Sequence, residues 1–139
     1  MIRHWSAVIA SSLLVAVGVG CSNPPETLGP DNHVVSTNLV GHFQLTADNI
    51  QNVTTTLTYK WINPAPYAYI QHLSFTPHGT TLLIIKDAVD SVRYDEKLLY
   101  EEDDRTVGQG VPGEWTVTFS LDESVGQINV ILDSLSTVD

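Results

Sequence analysis

From Leu39 onward apolar side chains recur at a period close to two. Asn52 to Trp61 reads NVTTTLTYKW. Val53, Thr55, Leu57, Tyr59 and Trp61 fall on one side, with Thr54, Thr56, Thr58 and Lys60 on the other. That alternation predicts a strand with one buried face. Val40 to Ala47 and Tyr69 to Phe75 predict weaker strands. Pro77-His78-Gly79 predicts a turn, and Thr80 to Ile85 a short central strand. Arg93 to Tyr100 reads as a strand or an irregular edge. Trp115, Val117, Phe119 and Leu121 alternate with Thr116, Thr118 and Ser120. Asp122 to Gly126 then predicts a turn, and Gln127 to Leu135 a closing strand. Strands separated by Pro, Gly, Asp and Asn, with no amphipathic helix, predict an all-β fold, a β-sandwich. Frequent Thr and Val fit a pleated, half-buried surface.

The N-terminus follows another pattern. Arg3 and His4 precede an apolar run from Trp5 to Val19, which ends at Gly18-Val19-Gly20-Cys21. Roughly 15 apolar residues fall short of the ~20 a spanning helix needs. A basic start, an apolar middle and small residues at the end predict a signal peptide over residues 1–20. Cys21 after a small residue resembles a bacterial lipobox, with Gly18 where leucine is usual, which makes it the expected site of lipidation, palmitate included. An ordinary signal peptide, with Cys21 incidental, and an uncleaved N-terminal anchor are the alternatives. Two or more acyl chains give stable membrane attachment where one does not. Ser22 favours the outer membrane if the envelope is Gram-negative; otherwise the anchor is expected in the cell membrane. The domain is then exposed outside the cytoplasm. Pro24, Pro25, Gly29 and Pro30 predict a flexible tether over residues 21–38, ahead of one sandwich domain over 39–139.

Charge narrows the partners. The chain carries a net charge of −10 and one cysteine. Lys60, Lys86, Arg93, Lys97 and Arg105 are scattered and form no basic stripe, which argues against nucleic-acid binding. With Cys21 acylated no thiol remains, so the domain has no disulfide and no cysteine nucleophile.

Two later motifs resemble the P domain of secreted subtilisin-like proprotein convertases. Leu73-Ser74-Phe75-Thr76-Pro77-His78-Gly79-Thr80 leads into Leu82-Leu83-Ile84. Gly113-Glu114-Trp115-Thr116-Val117 is followed by Gly126-Gln127-Ile128-Asn129. The resemblance spans Leu39 to Leu135. It implies a jelly-roll-like sandwich and, from relatives with calcium sites, a cation in an acidic loop. In convertases this domain supports an adjoining catalytic domain, and this sequence holds nothing like that catalytic domain.

Candidate chemistry concentrates in two places. Asp87, Asp90, Asp95, Glu101, Glu102, Asp103 and Asp104 supply enough carboxylates for a calcium ion (Ca2+), although their spacing is not that of an EF-hand. A solvated acidic face is the alternative. Trp61, Tyr67 and Tyr69, beside Pro64 and Pro66, form an aromatic cluster. Exposed, it can stack on a sugar or enter a protein interface; buried, it is core. His33, His42, His72 and His78 show no short zinc spacing, and no nucleophile motif is present. The expected function is therefore a noncatalytic, membrane-tethered binding or structural module of the cell envelope that engages a protein. A carbohydrate-binding module and a small secreted hydrolase accessory domain are the alternatives.

Overall fold

A computed structural model describes residues 28–99 and 102–138. Seven strands follow a short 3₁₀ turn at Pro30–Asn32: β1 Val35–Leu39, β2 His42–Asn63, β3 Tyr67–His72, β4 Phe75–Lys86, β5 Val92–Lys97, β6 Glu102–Val107 and β7 Gly113–Leu135. All pairings are antiparallel.

Two strands of 22 and 23 residues, β2 and β7, organise everything else. They pair from His42↔Asp133 to Asn63↔Gly113, with register shifts between Ala47 and Thr55. Asn49, Asn52 and Glu123 have positive φ there, as does Gly126. Bulges of this kind bend a ribbon without ending it. The bend divides the ribbon between two layers. In the first layer the order is β5, β4, the first half of β7, then the second half of β2. In the second it is β6, β3, the second half of β7, the first half of β2, then β1. Counting the halves separately, this is the strand order of a jelly roll.

The core lies between the layers. Phe43, Leu45, Ala68, Ile70, Val130 and Leu132 come from the second layer, and Trp61, Leu83, Ile85, Trp115, Val117 and Phe119 from the first. The alternation of Val53 to Trp61 falls as the sequence predicts, with Thr54, Thr56, Thr58 and Lys60 exposed.

Four local expectations change. Asp122–Gly126 is a bulged bend inside β7, and Pro77–Gly79 lies inside β4 between register shifts to β7. A polar stretch with positive-φ residues makes a bulge when its flanks share one partner strand, and here they do. β1 occupies part of the expected tether, and Leu28 and Val34 pack against the core. β6 occupies part of the acidic run, where Ala68↔Val107 and Ile70↔Arg105 pair it to β3. No helix among the described residues is long and apolar enough to cross a membrane.

Candidate functional site

The outer face of the second layer gathers most of the polar chemistry. Along β2, β7 and β3 the inward positions are buried, while His42, Gln44, Thr46, Asn129, Asp133, Tyr69 and Gln71 are half-buried on the other side. Register puts His42 beside Asp133, and Asp133 beside Tyr69. His42 Nδ1 lies 2.7 Å from Asp133 Oδ1. One register step along, Gln44 Nε2 donates to Asn129 Oδ1 at 3.4 Å. Beyond it His33 Nδ1 lies 2.6 Å from Asp48 Oδ1. His33 has a left-handed φ of 45°, which turns the chain out of the 3₁₀ turn and onto this face.

A shallow groove of about 350 Å³ opens beside His33 and Asp48, lined also by Thr46, Leu73, Gln127, Ile128 and Asn129. Its wall is fixed by buried Ser74: the Asn129 amide donates to Ser74 Oγ at 3.1 Å, and the Leu73 amide donates to the Asn129 carbonyl at 2.9 Å. Val35 pairs with Thr46 and Leu39 with His42, so β1 borders the same face. Val35, Leu39 and Val40 are 60%, 61% and 71% exposed. The exposed apolar side chains thus lie along the β1 edge of this face, with the polar groups at its middle.

The aromatic cluster divides. Trp61 is wholly buried and meets Trp115 edge to face, with ring centroids 5.9 Å apart. The expected place of Trp61 on a binding surface is therefore corrected: its strand position points between the layers. Tyr67 and Tyr69 are half-buried and occupy successive outward positions of β3.

The acidic run divides as well. Asp87 directly follows β4 with its carboxylate buried. Its Oδ1 accepts the amides of Val89 at 3.1 Å and Ser91 at 3.0 Å. Its Oδ2 accepts the Val111 amide at 3.0 Å and Arg93 Nε at 2.8 Å. Burial pushes this carboxyl up, but the Val111 amide, Arg93 and the amides of Ser91 and Val89 outweigh it and hold it at about 2. Asp87 is thus a structural anion, and its expected role as a calcium ligand is corrected: every oxygen already has donors. Asp90 sits in the following turn at φ 60°, and Asp95 is exposed on β5. Glu101 lies outside the described residues, as do the side chains of Glu102, Asp103 and Asp104. Among the described residues no group of three or more His, Cys, Asp or Glu side chains is placed to hold a metal. Cys21 also lies outside the described residues.

The two sequence motifs meet. Phe75 pairs with Gln127 and His78 with Val125. Gly79 has φ 72°, and a Cβ there would collide with the Glu123 carbonyl; Gly126 has φ 139°, and its Cβ would collide with the Phe75 carbonyl. Sequence reading missed the His–Asp pairs, which join residues 15 and 91 positions apart. A histidine at a strand start and an aspartate on the last strand carry no local signal of pairing.

No protein-family model matches the chain, and no curated protein matches it. Among solved structures, one match is the enzymatically active domain of tailspike protein 4 of bacteriophage CBA120. It is 16% identical with a TM-score of 0.43, and the alignment covers 73% of this chain and 17% of that one.

Proposed function

We propose that the chain is a noncatalytic binding module of the cell envelope, tethered to the membrane through lipidated Cys21, that engages a protein partner by the outer face of the second layer. The observation carrying this reading is the groove beside His33 and Asp48, with exposed Val35 paired to its lining residue Thr46 and exposed Leu39 farther along the same edge strand. Such a surface offers hydrogen-bonding groups at its middle and exposed apolar side chains along its β1 edge, next to a groove. The anchor reading rests on the apolar run ahead of Cys21. Kinship with P domains belongs to the same reading, supported by the pairing of the segments that carry the two motifs.

The tether is tested by fractionating cells that make the full chain. Cys21→Ser is expected to move the protein from the membrane to the soluble fraction, and retention on the membrane would refute the lipid anchor. A carbohydrate ligand is the second reading, favoured by Tyr67 and Tyr69 on successive outward positions beside Asp133. It requires that Tyr67→Ala and Tyr69→Ala abolish binding to a polysaccharide while the fold is retained.

A further inference from the structure

We propose that the sandwich stands on its membrane with the β2–β7 bend turned toward the lipid surface and the opposite end, at Val40 and Ile62, held away from it. This orientation rests on the lipid anchor at Cys21 proposed above, and adds which end of the domain the bilayer faces.

The chain enters the fold at the bend. Leu28 and Val34 pack against the core, and Asn32 between them is buried. The Gly29 amide donates to Asn32 Oδ1 at 2.9 Å, and Asn32 Nδ2 donates to the Asn49 carbonyl at 3.0 Å. Asn49 is one of the positive-φ residues of the bend. From there β1 runs away from the bend, from Val35 beside Thr46 to Leu39 beside His42. The tether expected over residues 21–38 is therefore shorter, because the chain from Leu28 onward belongs to the domain.

Length then decides the orientation. Leu28 is seven positions after Cys21. Seven residues reach about 25 Å at full stretch, and a flexible chain of that length averages about 15 Å. The domain is longer. Between the bend and the far end lie eight residue steps of the second layer, Asn49 to Gly41, and ten of the first, Val53 to Asn63. That is about 26–33 Å of strand. Setting the far end on the bilayer would lift Leu28 beyond its reach. A tether running to residue 38 would have spanned about 60 Å and allowed either end down.

The two ends differ in what they expose. The far end carries exposed Leu39, Val40 and Ile62, brought together where the Gly41 amide donates to the Ile62 carbonyl at 2.9 Å. The bend end carries exposed Asp31, Asp48, Asp122 and Glu123 and, among the described residues, no lysine or arginine. Charge does not draw that end to anionic lipid, so the short tether and not attraction sets the orientation. The apolar end is presented to the compartment beyond the membrane, from which a partner reaches the second layer.

Fluorescence transfer to the bilayer tests this on the full, lipidated chain in phosphatidylcholine vesicles that carry a dye-labelled headgroup lipid. The chain has one cysteine, and acylation occupies it. A donor is therefore placed singly, by Gln51→Cys or His78→Cys at the bend and by Val40→Cys or Ile62→Cys at the far end, all four exposed positions. Transfer from both bend positions is expected to exceed transfer from both far positions severalfold. Inserting about 15 Gly and Ser residues after Asn23 is expected to narrow the difference, because either end then reaches the lipid. Equal transfer from the four positions, stronger transfer from Val40 and Ile62, or a difference untouched by the insertion would overturn the proposal while leaving the anchor standing. A chain that does not associate with the vesicles would refute the anchor, and the orientation with it.

Discussion

Phe43 and Phe119 stack with ring centroids 6.5 Å apart, although each is hydrogen-bonded into a different half of the β2–β7 ribbon. Phe43 pairs with Leu132 and Phe119 with Leu57. Their contact exists because the ribbon folds over at its bulges and lays one half on the other. Tyr59 completes the cluster, with its ring 5.3 Å from Phe43 and 6.3 Å from Phe119. Phe43→Ala and Phe119→Ala are each expected to cost about 3–5 kcal/mol in urea unfolding. A double-mutant cycle should show a coupling of about 0.5–1.5 kcal/mol. Additive losses would mean the layers do not meet at this pair.

The bend itself is testable at its glycines. Gly79→Ala forces an L-residue to φ 72° against the Glu123 backbone, and Gly126→Ala one to φ 139° against the Phe75 backbone. Each is expected to cost more than about 1 kcal/mol. Gly108→Ala has nothing within 4 Å and should leave stability unchanged. A thermal melt of the three variants separates strain from a general effect of adding a methyl group.

Asp87 gives a pH signature. Its folded carboxyl is held at about 2, below the ordinary 3.8. A lowered folded value means the unfolded chain takes up the proton first. The contribution of Asp87 to stability is therefore complete above about pH 4 and is lost as the pH falls from there toward 2. Asp87→Asn should flatten the stability profile in that window. It should also lower the melting temperature at neutral pH, because Arg93 then loses its anion. An unchanged acid limb would place the acid sensitivity elsewhere.

The fold was partly legible because alternation is local. Val53 to Trp61 and Trp115 to Leu121 announce their buried faces within a few residues. The continuity of β2 and β7 was not legible. Asn49, Asn52, Glu123 and Gly126 are turn-forming residues, and whether they make a turn or a bulge depends on a partner strand far away in sequence. β6 was hidden by its charges, which suit an edge strand and mimic a loop. Asp87 read as one acid among many, since the Val111 amide that helps to bury it comes from 24 residues downstream. Trp61 was legible as inward by its period, and the cluster of prolines and tyrosines after it obscured that.

The first layer's outer face supplies an internal control for function. Thr58 and Thr118 hydroxyls lie 3.4 Å apart there, and Lys60 Nζ donates to Thr116 at 2.9 Å. Substituting Thr118 by lysine should leave partner engagement intact. Substituting Gln44 or Gln71 by lysine should reduce it at least tenfold, because each projects from the middle of the second layer's outer face. Comparable losses from all three positions would indicate a stability effect and not a surface.

The most direct measurement is site-specific photo-crosslinking in living cells that make the full chain. A photoreactive residue is placed in turn at Leu39, Gln44, Gln71 and Thr118. Discrete protein adducts are expected from Leu39, Gln44 and Gln71 and none from Thr118. Adducts from Thr118 alone, or none from the second layer at saturating illumination, would contradict the assignment of that face as the binding surface.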